Sequence, residues 1–174
     1  YSELGDTISV SNGVMELGNA VIAKSVGNTA NISNNAAIYL NSGTLTFNSS
    51  TNTVDGANNT AKITTTNSMA IYMEGGELIV SDGASLGINS EFEGAKYNND
   101  NTVDNSVHYD GIYISGGSLD SQGTLNVTHT GVQNDDVGEG ENERITTGTE
   151  YRNFKIKSYA VRVSGSSNTN VVIK

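Results

Sequence analysis

The stretch Ala70-Ile71-Tyr72-Met73-Glu74-Gly75-Gly76-Glu77-Leu78-Ile79-Val80-Ser81-Asp82-Gly83-Ala84-Ser85-Leu86-Gly87-Ile88 decides the fold. Ile71 and Met73 alternate with Tyr72, the two-residue period of a strand with one buried face. Glu74-Gly75-Gly76 turns the chain, and Leu78-Ile79-Val80 forms a second strand with Leu78 and Val80 inward. Asp82-Gly83 supplies a second turn, because such a pair accepts positive φ. Leu86-Gly87-Ile88 is a third short strand. Three strands and their turns occupy roughly 20 residues, about one triangular coil of a parallel β-helix.

The same unit recurs along the chain. It is Ala37-Ile38-Tyr39-Leu40-Asn41-Ser42-Gly43-Thr44-Leu45, then the stretch from Ala70, then Gly111-Ile112-Tyr113-Ile114-Ser115-Gly116-Gly117-Ser118-Leu119. Fainter copies begin at Thr7-Ile8-Ser9-Val10 and Ala160-Val161-Arg162-Val163. Starts at 7, 37, 70, 111 and 160 are 30, 33, 41 and 49 residues apart. A constant unit with drifting spacing is the mark of a solenoid whose loops vary while its strands do not. A meander of hairpins would not bring the same motif back after every third strand. The reading is therefore all-β: a right-handed parallel β-helix of about five coils, one domain over 1–174. Ile8, Ile38, Ile71, Ile112 and Val161 should form one inward stack, and Val10, Leu40, Met73, Ile114 and Val163 the next.

Composition agrees with this. Asn, Ser, Thr and Gly make up close to half of the 174 residues, with no Pro and no Cys. Such polarity would suit a disordered chain, but the β-branched clusters recur too regularly for that. The absence of Cys excludes disulfides, thiol catalysis and Cys-held zinc. A net charge of −10 repels a phosphate backbone, so neither nucleic acid nor an anionic membrane surface is expected as a partner. No run of 18 apolar residues occurs, so no membrane insertion is expected. The chain starts and stops close to apolar strands and reads as a fragment of a longer protein, monomeric as such.

Two polar insertions interrupt the repeat, Glu91–Asp110 and His129–Ser158. Insertions on solenoids tend to gather on one side, often the binding side; a passive loop is the alternative. The outward partner of the core stack is the other binding clue. Tyr39, Tyr72 and Tyr113 share one motif position, with Ser9 before them and Arg162 after. Exposed stacked rings would pack on the apolar face of a sugar, with Asn41, Glu74 or Ser115 meeting its hydroxyls. Arg162 would lie over Tyr113 as a cation–π pair or meet an acidic sugar. Equally, the tyrosines would only stabilise the sheet or lie under a loop. Tyr97 with His108, Tyr109 and Asp110 at the exit of the first insertion, and Tyr151, Arg152 and Phe154 in the second, adjoin the fourth coil and would meet there as a groove.

The motif [Ala/Gly]-Ile-Tyr-x-x-Gly-Gly-x-Leu, followed by Asp82-Gly83-Ala84-x-Leu86-x-Ile88, resembles the pectate-lyase-like adhesive domains of Gram-positive cell-surface proteins, including adhesins of lactobacilli. The likeness covers 37–54, 70–90, 111–131 and 160–173, and 7–17 less well. It implies a β-helix displayed extracellularly on a bacterial cell wall that holds host or plant glycans or glycoproteins. Similar coils occur in autotransporter passengers and phage tailspikes, so a structural stalk is a further reading.

Because related folds host polysaccharide lyases and hydrolases, an enzyme fragment is the other alternative. Carboxylates crowd into Asp135, Asp136, Glu139, Glu141 and Glu143 near Arg144 and Arg152, but in a loop, whereas the lyases resemble one another in placing catalytic groups on a strand face. A pectin-hydrolase set would need paired Asp with Gly-His-Gly, and the two histidines stand in Val107-His108-Tyr109 and Thr128-His129-Thr130. No catalytic residue is assigned and no enzyme is expected. No cofactor is expected either. Ca²⁺ is the one ion that the acidic run and the oxygen-rich 98–104 stretch would suit, although the latter lacks the glycine and terminal glutamate of an EF-hand; solvated acidic loops are the alternative. The acidic run should oppose binding of acidic glycans at neutral pH, and as that repulsion fades such binding should strengthen from pH 7 to pH 4, with His108 and His129 gaining charge near about 6.5.

Overall fold

The computed structural model describes residues 5–18, 20–49, 60–99, 103–131, 143–145, 151–153, 158–165 and 169–173, with backbone alone for 143–145 and 151–153. The first coil holds β1 (Ile8–Val10), β2 (Val14–Leu17) and β3 (Val21–Ser25). The second holds β4 (Ala36–Leu40), β5 (Thr44–Phe47) and β6 (Thr60–Thr66). The third holds β7 (Met69–Met73), β8 (Glu77–Val80) and β9 (Ser85–Glu91), and the fourth β10 (Ile112–Ile114), β11 (Ser118–Ser121) and β12 (Thr124–Thr130). A hairpin, β13 (Glu143–Ile145) with β14 (Tyr151–Asn153), precedes the fifth coil, which contributes β15 (Val161–Val163) and β16 (Asn170–Ile173).

Every third strand pairs in parallel. The first sheet runs β1-β4-β7-β10-β15, the second β2-β5-β8-β11-β16 and the third β3-β6-β9-β12. The chain is a right-handed parallel β-helix, and the sole helical turn among the described residues is a 3₁₀ turn at Thr29–Asn31.

The register follows the sequence repeat residue for residue. Ile8, Ile38, Ile71, Ile112 and Val161 align, as do Val10, Leu40, Met73, Ile114 and Val163. Leu45, Leu78 and Leu119 stack in the second sheet, and Ile22, Ile63, Ile88 and Val127 in the third. All but one of them fill a single core down the middle of the solenoid; Val163, expected inward, keeps its register on the last coil but is 48% exposed. One inward row of the third sheet is polar: Lys24, Thr65, Ser90 and His129. Lys24 is almost fully buried and its ammonium donates to the carbonyl of Gly5; burial lowers its pKa, and Asp6 partly offsets that.

The corner between the first and second sheets explains the repeated Gly-Gly. Gly43, Gly76 and Gly117 all take φ of +75 to +85°. A Cβ on Gly76 would sit 2.6 Å from the Gly43 carbonyl oxygen, and one on Gly117 would collide with that of Gly76. Side chains are excluded there twice, by dihedral and by the coil beneath. The Asp82-Gly83 corner also uses positive φ, 72° at Gly83.

Two expectations about the insertions are corrected. The first insertion is not simply a polar loop: Phe92, Ala95, Val103, Val107 and Tyr109 bury themselves with Ile32, Ala36, Met69 and Tyr113 in a second apolar cluster outside the first sheet. The Asn34 side chain ties the link between β3 and β4 to the first insertion, donating to the Ser106 carbonyl at 2.9 Å and accepting from the His108 amide at 2.9 Å. His129 does not open the second insertion; it belongs to β12 and points inward above Ser90.

The core stack sets a direct test. Ile71 has no exposed surface and lies between Ile38 and Ile112. Ile71→Asp should lower unfolding free energy by about 4 kcal/mol, because it buries an unpaired carboxylate; urea denaturation of the two proteins measures it. Equal midpoints would mean that this position does not lie in the core.

Candidate functional site

The outer face of the first sheet carries the repeated tyrosines in register, with Ser9 and Arg162 at its two ends. A spacing set by strand pairing brings the rings together. Tyr39 and Tyr72 have centroids 5.4 Å apart with planes tilted by 43°; Tyr72 and Tyr113 are 5.5 Å apart and stacked. Glu74, at the start of the following turn, accepts from both free hydroxyls, Tyr39 at 2.5 Å and Tyr72 at 2.6 Å. One carboxylate thus holds two rings from adjacent coils. These two hydrogen bonds hold Glu74 below the usual carboxylate range. The bond to Glu74, before burial and charge, pushes Tyr39 up to about 12, and burial with the same carboxylate raises Tyr72. Both phenols are therefore neutral donors at any ordinary pH.

Exposure falls along the row. Tyr39 and Tyr72 are half-buried, but Tyr113 is only 8% exposed. The expectation of three open rings is corrected at Tyr113, because the first insertion folds back over it. The His108 ring stacks on Tyr113 at 3.8 Å and 26°. The guanidinium of Arg162 lies 5.5 Å from the Tyr113 centroid, the cation–π arrangement the shared motif position led us to expect, and 5.9 Å from that of Tyr159. The Tyr113 hydroxyl accepts from Ser164 at 2.7 Å. Tyr113 is a covered anchor, and the open part of the row is Tyr39 and Tyr72.

The remaining sites fall in different surroundings. Tyr109, expected in a groove, is 3% exposed and belongs to the second cluster. Its hydroxyl donates to the Asp104 carbonyl and accepts from the Lys96 amide, both at 3.2 Å, and burial pushes it up to about 12. Tyr97 packs half-buried on the same cluster and bridges to Val103. Arg152 pairs with Arg144 across the β13–β14 hairpin, beside the pairing of Tyr151 with Ile145. The side chains of Tyr151 and Arg152, with Phe154 and the acidic run 135–141, lie outside the described residues. Of the 98–104 stretch, Asp104 is held by Ser106 and, at 3.6 Å, by Lys96, which together lower its pKa. Among the described residues no three His, Cys, Asp or Glu side chains converge as a metal site would require.

One device was legible but missed. Asp6 and Asp110 occupy the same position, one residue before the motif. Asp6 accepts from the Ala36 amide at 2.8 Å and Asp110 from the Tyr159 amide at 2.9 Å, so each clamps the next coil. Asp110 is fully buried 3.7 Å from Arg162; burial raises its pKa, and the Tyr159 amide and Arg162 oppose that. Arg162 is therefore occupied by Asp110 and two aromatic rings.

His129 and Ser158 approach to 2.5 Å, which invites comparison with a nucleophile and its base. Ser158 gives its single proton to the Tyr109 carbonyl at 2.5 Å. His129 Nε2 must then donate to Ser158 Oγ, the reverse of the polarity a general base needs. The contact ties the start of the fifth coil to the fourth.

Compared with known proteins, the chain matches no family model, no curated sequence and no solved structure. The fold rests on its own strand pairing.

Both histidines differ from the unperturbed expectation. Burial lowers His108, with Arg162 adding to it, and burial lowers His129. With folded values below that of the unfolded chain, both contribute stability above about pH 6.5 that is lost as pH falls through the window below it. Asp110 acts in the opposite sense, favouring the folded state as its raised pKa is crossed from above. The melting temperature should therefore fall between pH 7 and 5. In His108→Phe, which keeps a ring on Tyr113 without a titrating proton, that fall should be smaller. An identical pH slope in the two proteins would contradict the assignment.

Proposed function

We propose that this chain is an adhesive binding module, displayed extracellularly on a bacterial surface, that holds a glycan or glycoprotein on the outer face of its first sheet. One observation carries the reading: Glu74 fixes the rings of Tyr39 and Tyr72 side by side on adjacent coils, both half-open to solvent. Two planar rings held by a shared carboxylate form a stacking platform whose ordering cost is met before a sugar arrives. Tyrosine suits such a surface, with a large rigid apolar area and few torsions. Asn41, exposed at the same corner, can meet sugar hydroxyls, whereas the Ser115 hydroxyl donates to the Met73 carbonyl at 3.0 Å. The resemblance to surface adhesins of lactobacilli points the same way. On this reading the module works without cofactor, turnover or nucleic-acid partner, and is monomeric.

A glycan array identifies the ligand, and Tyr39→Ala tests the platform. Tyr39 lies outside both apolar clusters, so its loss should lower the melting temperature only slightly, through the lost contacts with Tyr72 and Glu74, and weaken the best array hits roughly tenfold. Glu74→Ala, which frees both rings, should weaken them too. Hits retained at full strength by both variants would remove the platform. Incubation with pectin or polygalacturonate should release no unsaturated or reducing ends; such release would contradict the binding-only reading.

A further inference from the structure

The outer face of the third sheet carries a depression of about 310 Å³. Three successive coils line it: Thr60 and Lys62 from β6, Gly87 and Asn89 from β9, Asn126 and Thr128 from β12. Parallel register puts Lys62, Gly87 and Asn126 in one outward row and Asn89 beside Thr128 in the next. The depression exists because the middle of the first row has no side chain.

Nothing in the fold requires glycine at that point. The corner glycines have positive φ, and a Cβ there would strike the backbone below. Gly87 lies outside the left-handed region, and an added Cβ would find only the Ala61 carbonyl oxygen and the Thr60 methyl, both at 3.9 Å. Glycine inside a strand weakens it and often marks a place that something else approaches closely. The polar groups around it are also unspent. Among the described residues Lys62 makes no ion pair, and the Asn89 and Asn126 side chains make no hydrogen bond.

We infer that this groove is a saccharide subsite for a sugar carrying one anionic group, a carboxylate or a sulfate ester. Lys62 meets the anion as a point charge. The amides of Asn89 and Asn126 each donate and accept, as do the hydroxyls of Thr60 and Thr128, which matches ring hydroxyls that do both. The volume is at the lower end of ligand sites, about 300–1,000 Å³, and suits a mono- or disaccharide. A net charge of −10 opposes a polyanion, so a single acidic sugar in an otherwise neutral glycan fits best. The groove lies on a different sheet from the tyrosine platform and does not rest on that reading.

Titration of the isotope-labelled chain, followed by backbone and side-chain amide resonances, tests it. The probes are a neutral glucosyl disaccharide, its glucuronate counterpart, its sulfate ester and an acidic dipeptide. Shifts should concentrate at Gly87, Asn89 and Asn126, with an acidic disaccharide binding roughly tenfold tighter than the neutral one; the tighter of the two acidic probes identifies the anion. Lys62→Met should bring that probe down to the neutral level. Gly87→Leu should abolish the shifts without lowering the melting temperature, and Tyr39→Ala should leave them intact. If Gly87→Leu does lower the melting temperature, Lys62→Met, which alters an exposed side chain, carries the test. Acidic-probe binding unchanged in Lys62→Met, no shifts at these residues, or a response to the dipeptide alone would overturn the subsite. Loss in Tyr39→Ala alone would assign binding to the platform instead.

Discussion

The strands of each coil are held by the equivalent strands of the neighbouring coils, through parallel backbone hydrogen bonds in fixed register. That pairing forces like residues on top of one another at about 4.8 Å per rung. A slip of one residue would turn every inward side chain outward, so the apolar stack of Ile38, Ile71 and Ile112 and the register protect each other. The same constraint acts on the outside. What stacks the isoleucines inward also stacks Tyr39, Tyr72 and Tyr113 outward and brings Lys62, Gly87 and Asn126 into one row. Corners follow too: successive carbonyls pass so close to Gly76 and Gly117 that no side chain fits.

A solenoid is uniform by construction, and its distinct surfaces arise where uniformity is broken. The first break is the excursion through Phe92 and Tyr109, which builds a second apolar cluster over the first sheet and closes Tyr113 under His108. It leaves the rings of Tyr39 and Tyr72 half-open and divides the row into an anchor and a platform. The second break is the missing side chain at Gly87. Both surfaces reuse the regular scaffold, so their groups are positioned by strands rather than by loop conformation.

The repeat was legible because stacking imposes identity: positions that touch across coils carry the same residue types. Both inward stacks, the tyrosine row and the place of Arg162 over Tyr113 could be read from spacing alone. Exposure could not. Whether Tyr113 is open depends on how Phe92, Val107, His108 and Tyr109 pack over it, and the segment they belong to repeats nothing elsewhere in the sequence. Its apolar residues are spaced irregularly among Asn and Asp, so it reads as a polar loop although Phe92, Val103 and Val107 are buried. His129 is hard to place for a related reason: a histidine following Thr128 resembles the start of a loop, yet β12, like β6 and β9, runs seven residues and His129 lies in the inner row. The aspartate clamp is legible only in hindsight of the repeat: Asp6 and Asp110 share one position, directly before the residues that recur in every coil. In the sequence Gly87 reads as a strand residue; that it lacks a structural reason to be glycine emerges from the space around it.

Distances along one outward row test the coil stacking most directly. The second sheet aligns Glu16, Thr46, Ile79, Asp120 and Val172 on successive coils, and the chain has no native Cys, so pairs of introduced cysteines can be spin-labelled cleanly. With one label at Glu16, backbone separations to Asp120 and Val172 should be three and four rungs, about 14 and about 19 Å, the second longer by one strand spacing. A Val172 label nearer to Glu16 than the Asp120 label, or separations that do not grow with coil number, would contradict the parallel stack on which both surfaces depend.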